Sequence, residues 1–489
     1  MLVDALLAAG SRRGKVLAVS DDSLTLNYAQ LVKFAQVMRA EVLRRTSAPR
    51  VGLMLPASSV FPGCFFGVLW AGRTAVPLNF LLAAPEMRKV VAAAGIDLIV
   101  TIGHFRELAE QLPVQKIYLE DLPLKRRIFL AMLTPKPRVP KVRPDDTAVV
   151  LFTSGTAAEP KGVELTYQNL FSNCDDCIFT ARMTPDHRFL NCLPPFHVFG
   201  LTANVLAPVV LGSSVFCVAR FHPMKVAKLL KDERISIFMA IPSMHAALLR
   251  LKSAPPDMLR SIHIVASGGE PLPTVVAAGY RERFGVELMQ GYGLTETSPV
   301  CTLDIPHAHK PGSIGRPIRN VSIRIIDACG ADAPLGADGE IWVKGPNVMK
   351  GYLDRPEETR GVMTPDGWFR TGDCGQVDAD GFVTITGRLK EMMIVGGENV
   401  FPREIEAVLL QHPAVADAAV IGAPDESRGE VPIAFVTLKD GATVTDTELR
   451  QFARERLAGF KVPRQVRIEE ELPRNPIGKI LKRKLVDRL

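Results

Sequence analysis

Apolar positions in the first third of the chain switch between two periods. Tyr28, Leu31, Val32, Ala35, Met38 and Val42 recur at helical spacing, residues 51–55 form a short continuous apolar run, and residues 58–70 are again helical. Residues 74–78, 85–94 and 98–101 repeat this strand-helix-strand alternation, which predicts a mostly parallel sheet covered by helices on both faces. The alternation resumes after residue 188, with strands expected at 214–218, 235–240 and 262–266 and helices at 224–230 and after Pro242. Beyond Pro311 it gives way to short strands separated by turns (322–326, 340–344, 381–386), the pattern of a β subdomain. The last hundred residues repeat neither theme. A helix at 402–410, strands at 415–421 and 432–438 and a helix at 446–457 predict a small α+β unit of their own. The fold class read from these patterns is α/β: a large N-terminal domain (1–388) of helix-covered, mostly parallel sheets plus a β subdomain, then a small α+β C-terminal domain (389–489).

With 489 residues the chain exceeds one ordinary core, in keeping with two domains. The uncharged stretch 189–219 is long enough to span a bilayer, but Pro194, Pro195, Gly200, Pro208 and Gly212 with Asn191, His197 and Asn204 make it a poor lipid-exposed helix. A buried α/β segment lining an apolar pocket is the better reading, and no transmembrane segment is expected. Eight cysteines are scattered, and only Cys174 and Cys177 form a C-x-x-C without a second pair at zinc-ribbon distance. A reduced, cytoplasmic protein without a structural metal is expected.

The formal charge of +7 is localised. Lys125, Arg126, Arg127, Lys136, Arg138, Lys141 and Arg143 lie within 125–144, where there is no acidic residue, so the remainder of the chain is balanced. A nucleic-acid binder would spread such charge, and no nucleic-acid motif is present. The segment has four prolines after Leu133 and reads as an irregular connection. Its apolar run 128–133 between cationic flanks fits either a solvated linker with one helical turn packed on the core or a peripheral docking element for anionic membrane.

Candidate chemistry begins where the strand 148–152 runs into LFTSGTAAEPKGVELTYQN (151–169). Thr153, Ser154, Gly155 and Thr156 offer hydroxyl and backbone donors to an anionic oxygen cluster, and Lys161 adds a mobile point charge. Pro160 before the lysine and Gly162 after it exclude the Walker pattern, and a plain polar hairpin is the competing reading. Strand 262–266 ends at Ser267, Gly268, Gly269 and Glu270, the kind of carboxyl-end exit where α/β folds hold ligands. QGYGLTET (290–297), GWFRTGD (367–373), GRLKEMMIVGGEN (387–399) and NPIGKI (475–480) follow. Taken singly, QGYGLTET could be a turn, Asp373 a turn cap and Lys479 a solvated residue of a basic tail.

Five motifs in this order over essentially the whole chain resemble the AMP-forming acyl-adenylating superfamily of acyl-CoA synthetases, luciferases and peptide-synthetase adenylation domains. The resemblance implies ATP, Mg²⁺ and coenzyme A as cofactors and co-substrate. It puts Tyr292 on adenine, Thr295 at the α-phosphate, Glu296 on Mg²⁺, Asp373 at the ribose hydroxyls and Arg388 near ribose and phosphate. Thr153, Ser154, Gly155, Thr156, Gly268, Gly269 and Glu270 complete the nucleotide site. Lys479 matches the catalytic lysine, assisted by Lys161, Thr295 and Glu296, and Lys390 matches the interdomain hinge. Gly396 and Gly397 are expected to permit close backbone approach. Ala157 and Ala158 depart from the family, which usually has Thr or Ser, then Gly. LPPFHVFGLT (193–202), YLEDL (118–122) and KPGSIGRP (310–317) look most like the fatty acyl branch, with His197, Phe199 and Gly200 at an acyl pocket. A medium- or long-chain fatty acid with coenzyme A is expected, acyl carrier protein being the alternative acceptor and a non-catalytic nucleotide-binding relative the alternative class.

Overall fold

A computed structural model describes residues 1–153, 159–474 and 480–489. A seven-stranded sheet is parallel through Thr147–Thr153, Thr74–Pro77, Arg50–Met54, Leu98–Thr101 and Gln115–Tyr118, and adds Lys161–Thr166 and Gly351–Tyr352 antiparallel at one edge. A nine-stranded sheet is parallel from Met289–Gly293 through Ile264–Ser267, Ile237–Ala240, Arg188–Asn191 and Ser214–Cys217 to Leu17–Ser20, with antiparallel strands at both margins. The expected mostly parallel architecture is therefore present twice. Helix Tyr28–Arg45 starts where Asn27 accepts from the Gln30 backbone and Gln30 returns the bond, each at 2.9 Å. It packs against helix Val60–Trp70, burying Phe34, Met38, Phe61 and Phe65 between the layers.

The β subdomain is a four-stranded antiparallel sheet of Ser322–Ile326, Gly339–Lys344, Phe369–Val377 and Val383–Arg388. The third strand carries the GWFRTGD motif, so Asp373 lies in mid-strand and not at a turn cap. Likewise QGYGLTET is not a simple turn: it is strand Met289–Gly293 followed by the 3-10 turn Thr295–Thr297. The C-terminal unit has its own sheet, with helices Pro402–Leu409 and Asp446–Arg454 closing a separate core around Val420, Val436 and Leu449.

Gly396 and Gly397 have φ of +62° and +89° and form a two-residue hairpin turn joining Met393–Val395 to Glu398–Val400, where a Cβ added to either would meet no described residue within 4 Å. In the connection 125–144, expected to be irregular save for one helical turn packed on the core, the helix is longer than that turn. Helix Leu124–Met132 occupies its first half, because Ile128 and Ala131 fall on one face and bury against helix Tyr28–Arg45. The apolar run 189–219 is divided into strand Arg188–Asn191, a helical stretch from Val198 to Leu211 with a π-turn at Thr202–Leu206, and strand Ser214–Cys217. Among the described residues no helix is long and apolar enough to cross a membrane.

Candidate functional site

The hairpin formed by Thr147–Thr153 and Lys161–Thr166 is in register to its last pair, Thr153 opposite Lys161. Ser154, Gly155, Thr156, Ala157 and Ala158 lie outside the described residues. At the hairpin's end the Lys161 ammonium is 2.6 Å from Glu358 and 4.1 Å from the centre of the Tyr352 ring. Tyr352 donates its hydroxyl to Glu296 Oε1 at 2.9 Å, so cation, ring and carboxylate form a continuous row. Glu358 also accepts from Arg355 at 2.7 Å, and Arg355 reaches Glu159 at 2.8 Å. Lys161 first and Arg355 second hold the Glu358 carboxyl below its ordinary pKa. Thr295 stands beside Glu296 on the 3-10 turn, and its hydroxyl bonds to no other described residue.

A second group joins the nine-stranded sheet to the β subdomain. Asp373 and Arg388 are direct cross-strand partners, and Arg388 Nε lies 2.6 Å from Asp373 Oδ1. Tyr292, at the end of strand Met289–Gly293, donates its hydroxyl to Asp373 Oδ2 at 2.8 Å. Burial, reinforced by the Asp373 charge, pushes the Tyr292 phenol well above its ordinary pKa and keeps it a donor. Asp373 is 3% exposed, yet each of its oxygens retains a second lone pair, enough to accept from a vicinal diol.

Strand Ile264–Ser267 delivers Gly268 and Gly269 to the same end of the nine-stranded sheet, followed by Glu270. A Cβ on Gly268 would sit 3.3 Å from the Phe199 ring, and one on Gly200 would meet the Pro194 carbonyl oxygen at 2.3 Å. The first contact lets helix Val198–Leu201 close onto the strand exit, and the second lets residue 200 fold back over the Leu193–Pro194 turn. His197 stands just before that helix with its ring against Phe196, whose ring meets Phe80 edge-on at 4.9 Å. His197 Nε2 and, farther along, Thr202 Oγ1, both side-chain amide atoms of Asn204 and Ser267 Oγ are buried without a partner among the described residues.

Burial lowers the pKa of His197 and of the fully buried His245 to about 4, so both are neutral near pH 7. His245 is bound by Tyr280 Oη at 2.9 Å and the Ala266 carbonyl at 3.1 Å, an arrangement that suits the neutral ring. Because the unfolded histidines protonate near 6.5, folding stability contributed by each neutral ring is complete above that pH. It is lost as pH falls toward 4, by up to about 3 kcal/mol each. Urea unfolding at pH 7 and at pH 4.5 should show a smaller acid loss for His197→Gln than for the wild type; an equal loss would contradict the assignment.

Beyond Arg388, Lys390 is exposed on the 3-10 turn Leu389–Glu391, the short link between the β subdomain and the C-terminal sheet. Lys482 reaches Glu391 at 3.0 Å and Glu406 at 2.8 Å across this link. Burial opposes its charge, but the two carboxylates outweigh that and raise its pKa. Lys479 lies outside the described residues. The structure thus brings Tyr292, Asp373 and Arg388 together, and connects Lys161 to Glu296 through Tyr352. Sequence reasoning missed Tyr352 and Glu358, which reach the site only because Gly351–Tyr352 pairs with residues 163–164. It also missed Lys482, whose single cue was its place in a basic tail.

The chain belongs to the AMP-binding enzyme family: the family's main model matches residues 7–353 and its C-terminal-domain model matches 404–479. A feruloyl-CoA synthase from an Amycolatopsis species is 36% identical over 95% of this chain and 94% of its own length. A long-chain-fatty-acid–CoA ligase of Bacillus subtilis is 34% identical over 93% and 88%. Among solved structures, the o-succinylbenzoate coenzyme A synthetase of Bacillus subtilis in complex with ATP and magnesium ion superposes with a TM-score of 0.85 at 30% identity, covering 99% of each chain. The acyl-adenylating resemblance of the motifs is thereby established at the level of the family.

Proposed function

We propose that this protein is an AMP-forming acid–thiol ligase that activates a medium- or long-chain fatty acid through an acyl-adenylate to a coenzyme A thioester. The observation that carries the reading is the convergence of Tyr292 and Arg388 on the buried Asp373, with Lys161, Tyr352 and Glu296 forming a second row. An aromatic next to a carboxylate that can accept from a diol suits a nucleoside, and a cation beside a hard carboxylate suits a metal-bound polyphosphate. Magnesium takes one or two carboxylates and completes its shell with phosphate oxygens and water, so Glu296, with lone pairs left beyond its bond to Tyr352, fits it as a single protein ligand. When bound, the ion would neutralise charge on the phosphates. The feruloyl-, fatty acyl- and o-succinylbenzoyl-activating relatives support the acid–coenzyme A class.

In the first step the acid's carboxylate attacks the α-phosphorus of ATP and pyrophosphate leaves. Thr295 donates to the α-phosphoryl oxygen, Lys161 and Lys479 balance charge that shifts during attack, and Asp373 with Arg388 holds the ribose. Thr153, Ser154, Gly155, Thr156, Gly268, Gly269 and Glu270 complete the nucleotide site. In the second step a thiol attacks the acyl carbon and AMP leaves. The C-terminal domain, 389–489, turns about Lys390 between the steps, withdrawing Lys479. Lys390→Pro should therefore leave acid-dependent pyrophosphate release nearly intact and slow thioester formation at least tenfold, because a fixed φ hinders rotation. Equal rates in both half-reactions would remove the hinge from that position. The free cysteines accord with a cytoplasmic enzyme.

A ring-bearing polar acid is the second reading, favoured by one observation. His197 and Asn204 carry buried polar atoms that an alkyl chain cannot bond. AMP release with a matched panel of saturated fatty acids and hydroxylated aromatic acids, each with coenzyme A or acyl carrier protein, decides between the acids and the acceptors. A kcat/KM at least tenfold higher for the fatty acids with coenzyme A supports the first reading, and the reverse order overturns it.

A further inference from the structure

Helix Leu124–Met132 has two unlike faces. Ile128 and Ala131 are buried, and Arg127 pairs with Glu41, a buried carboxylate that also takes Arg44 and Arg45. Phe129, Leu130, Met132 and Leu133 stand outward with between 46% and 74% of their surface exposed. Large apolar side chains clustered within five residues and left in water are what an interaction surface requires.

The chain then doubles back along helix Tyr28–Arg45. Lys33 bonds the Thr134 carbonyl at 2.7 Å, and Gln36 bonds Thr134 Oγ1 at 3.0 Å. Farther on, Arg138, Pro140 and Lys141 face Arg39, Leu43 and Trp70 across an open cleft of about 460 Å³. Lys125, Arg126, Lys136, Arg138 and Lys141 are exposed, and none of them forms an ion pair with a described residue. Glu41 is already shared by three arginines, and of the acids just before the helix Glu120 accepts from the Gly103 backbone at 2.9 Å and Asp121 faces Arg106 at 4.0 Å. The surface is therefore an apolar ridge with uncompensated cations on either side.

We propose that helix Leu124–Met132 and the segment through Lys141 form a docking surface for an anionic lipid bilayer. Phe129, Leu130, Met132 and Leu133 enter the headgroup and acyl boundary, and the five cations, with the cleft beside Arg39, receive lipid phosphates. A ridge that projects outward suits insertion, and a cationic rim needs an anionic partner. An acidic carrier protein is the weaker fit. The cleft lies next to the chain just before strands Thr74–Pro77 and Thr147–Thr153 begin, whereas Thr153 and Lys161 lie at the other end, roughly 20 Å away along a seven-residue strand. A thiol delivered there would be on the wrong side. The proposal does not depend on which acid is activated.

Co-sedimentation of the full chain with vesicles tests it. Wild type should bind vesicles containing phosphatidylglycerol at least tenfold better than pure phosphatidylcholine at about 0.01 M salt, where charges act over about 30 Å, and lose most of that preference at about 1 M, where they act over about 3 Å. Lys136→Glu/Arg138→Glu/Lys141→Glu and, separately, Phe129→Ser/Leu133→Ser should each weaken binding at least tenfold, while AMP release with a water-soluble short acid stays at the wild-type rate. Wild type remaining in the supernatant with anionic vesicles at low salt overturns the proposal, as do variants that sediment like wild type. So does a wild-type dimer by light scattering that Phe129→Ser/Leu133→Ser makes monomeric without any vesicle binding, or retention of an acyl carrier protein by the same cations in place of vesicles.

Discussion

Lys479→Ala is expected to slow acyl-adenylate formation by about 10²- to 10³-fold, the usual cost of removing one donor that meets charge developing in a transition state. Thioester formation from supplied acyl-adenylate should remain within about twofold of wild type, since a side chain that acts only in the first step adds nothing to the second. The reason is electrostatic: an ammonium matters where charge moves onto the α-phosphoryl oxygens and the departing pyrophosphate. The lysine three positions later behaves differently. Lys482 is held by Glu391 and Glu406 and is not available for that work. Single-turnover measurements of the two half-reactions check the expectation, and an equal loss in both would assign Lys479 to structure or to general binding.

Asp373→Asn is expected to lower kcat/KM for ATP by about 10- to 100-fold, the range of one lost charge-assisted hydrogen bond, with kcat/KM for the acid at saturating ATP changed far less. Asparagine keeps the size of the side chain and can still accept the Tyr292 hydroxyl. What it removes is the charge opposite Arg388, with which Asp373 is paired across neighbouring strands at 2.6 Å, and one strong acceptor for a ribose diol. Arg388 is left without its carboxylate partner at the proposed ribose site. If ATP affinity and adenylation are both unchanged in the variant, Asp373 does not hold the nucleotide.

The parallel layers were legible because their periods are: apolar runs at 51–55, 74–78 and 98–101 separated by helical spacing became strands and helices within a few residues of those limits. The site was legible in pieces. Tyr292 and Asp373 could each be matched to a motif, but nothing local to either shows that a phenol 81 positions away donates to that carboxylate. Tyr352 and Glu358 had no cue, since a two-residue strand pairing with residues 163–164 brings them in. Helix Leu124–Met132 was foreseen only as a single helical turn, for a simpler reason. Six consecutive apolar residues carry no period, and the prolines that follow dominate the local signal.

Acid-dependent exchange between ATP and labelled pyrophosphate, measured without coenzyme A, separates an adenylating enzyme from a nucleotide binder. An acid–thiol ligase should show exchange that requires both a carboxylic acid and magnesium, and on adding coenzyme A a stoichiometric appearance of AMP and acyl thioester. Nucleotide binding without exchange for any acid of the panel, or release of ADP and phosphate in place of AMP and pyrophosphate, would contradict it.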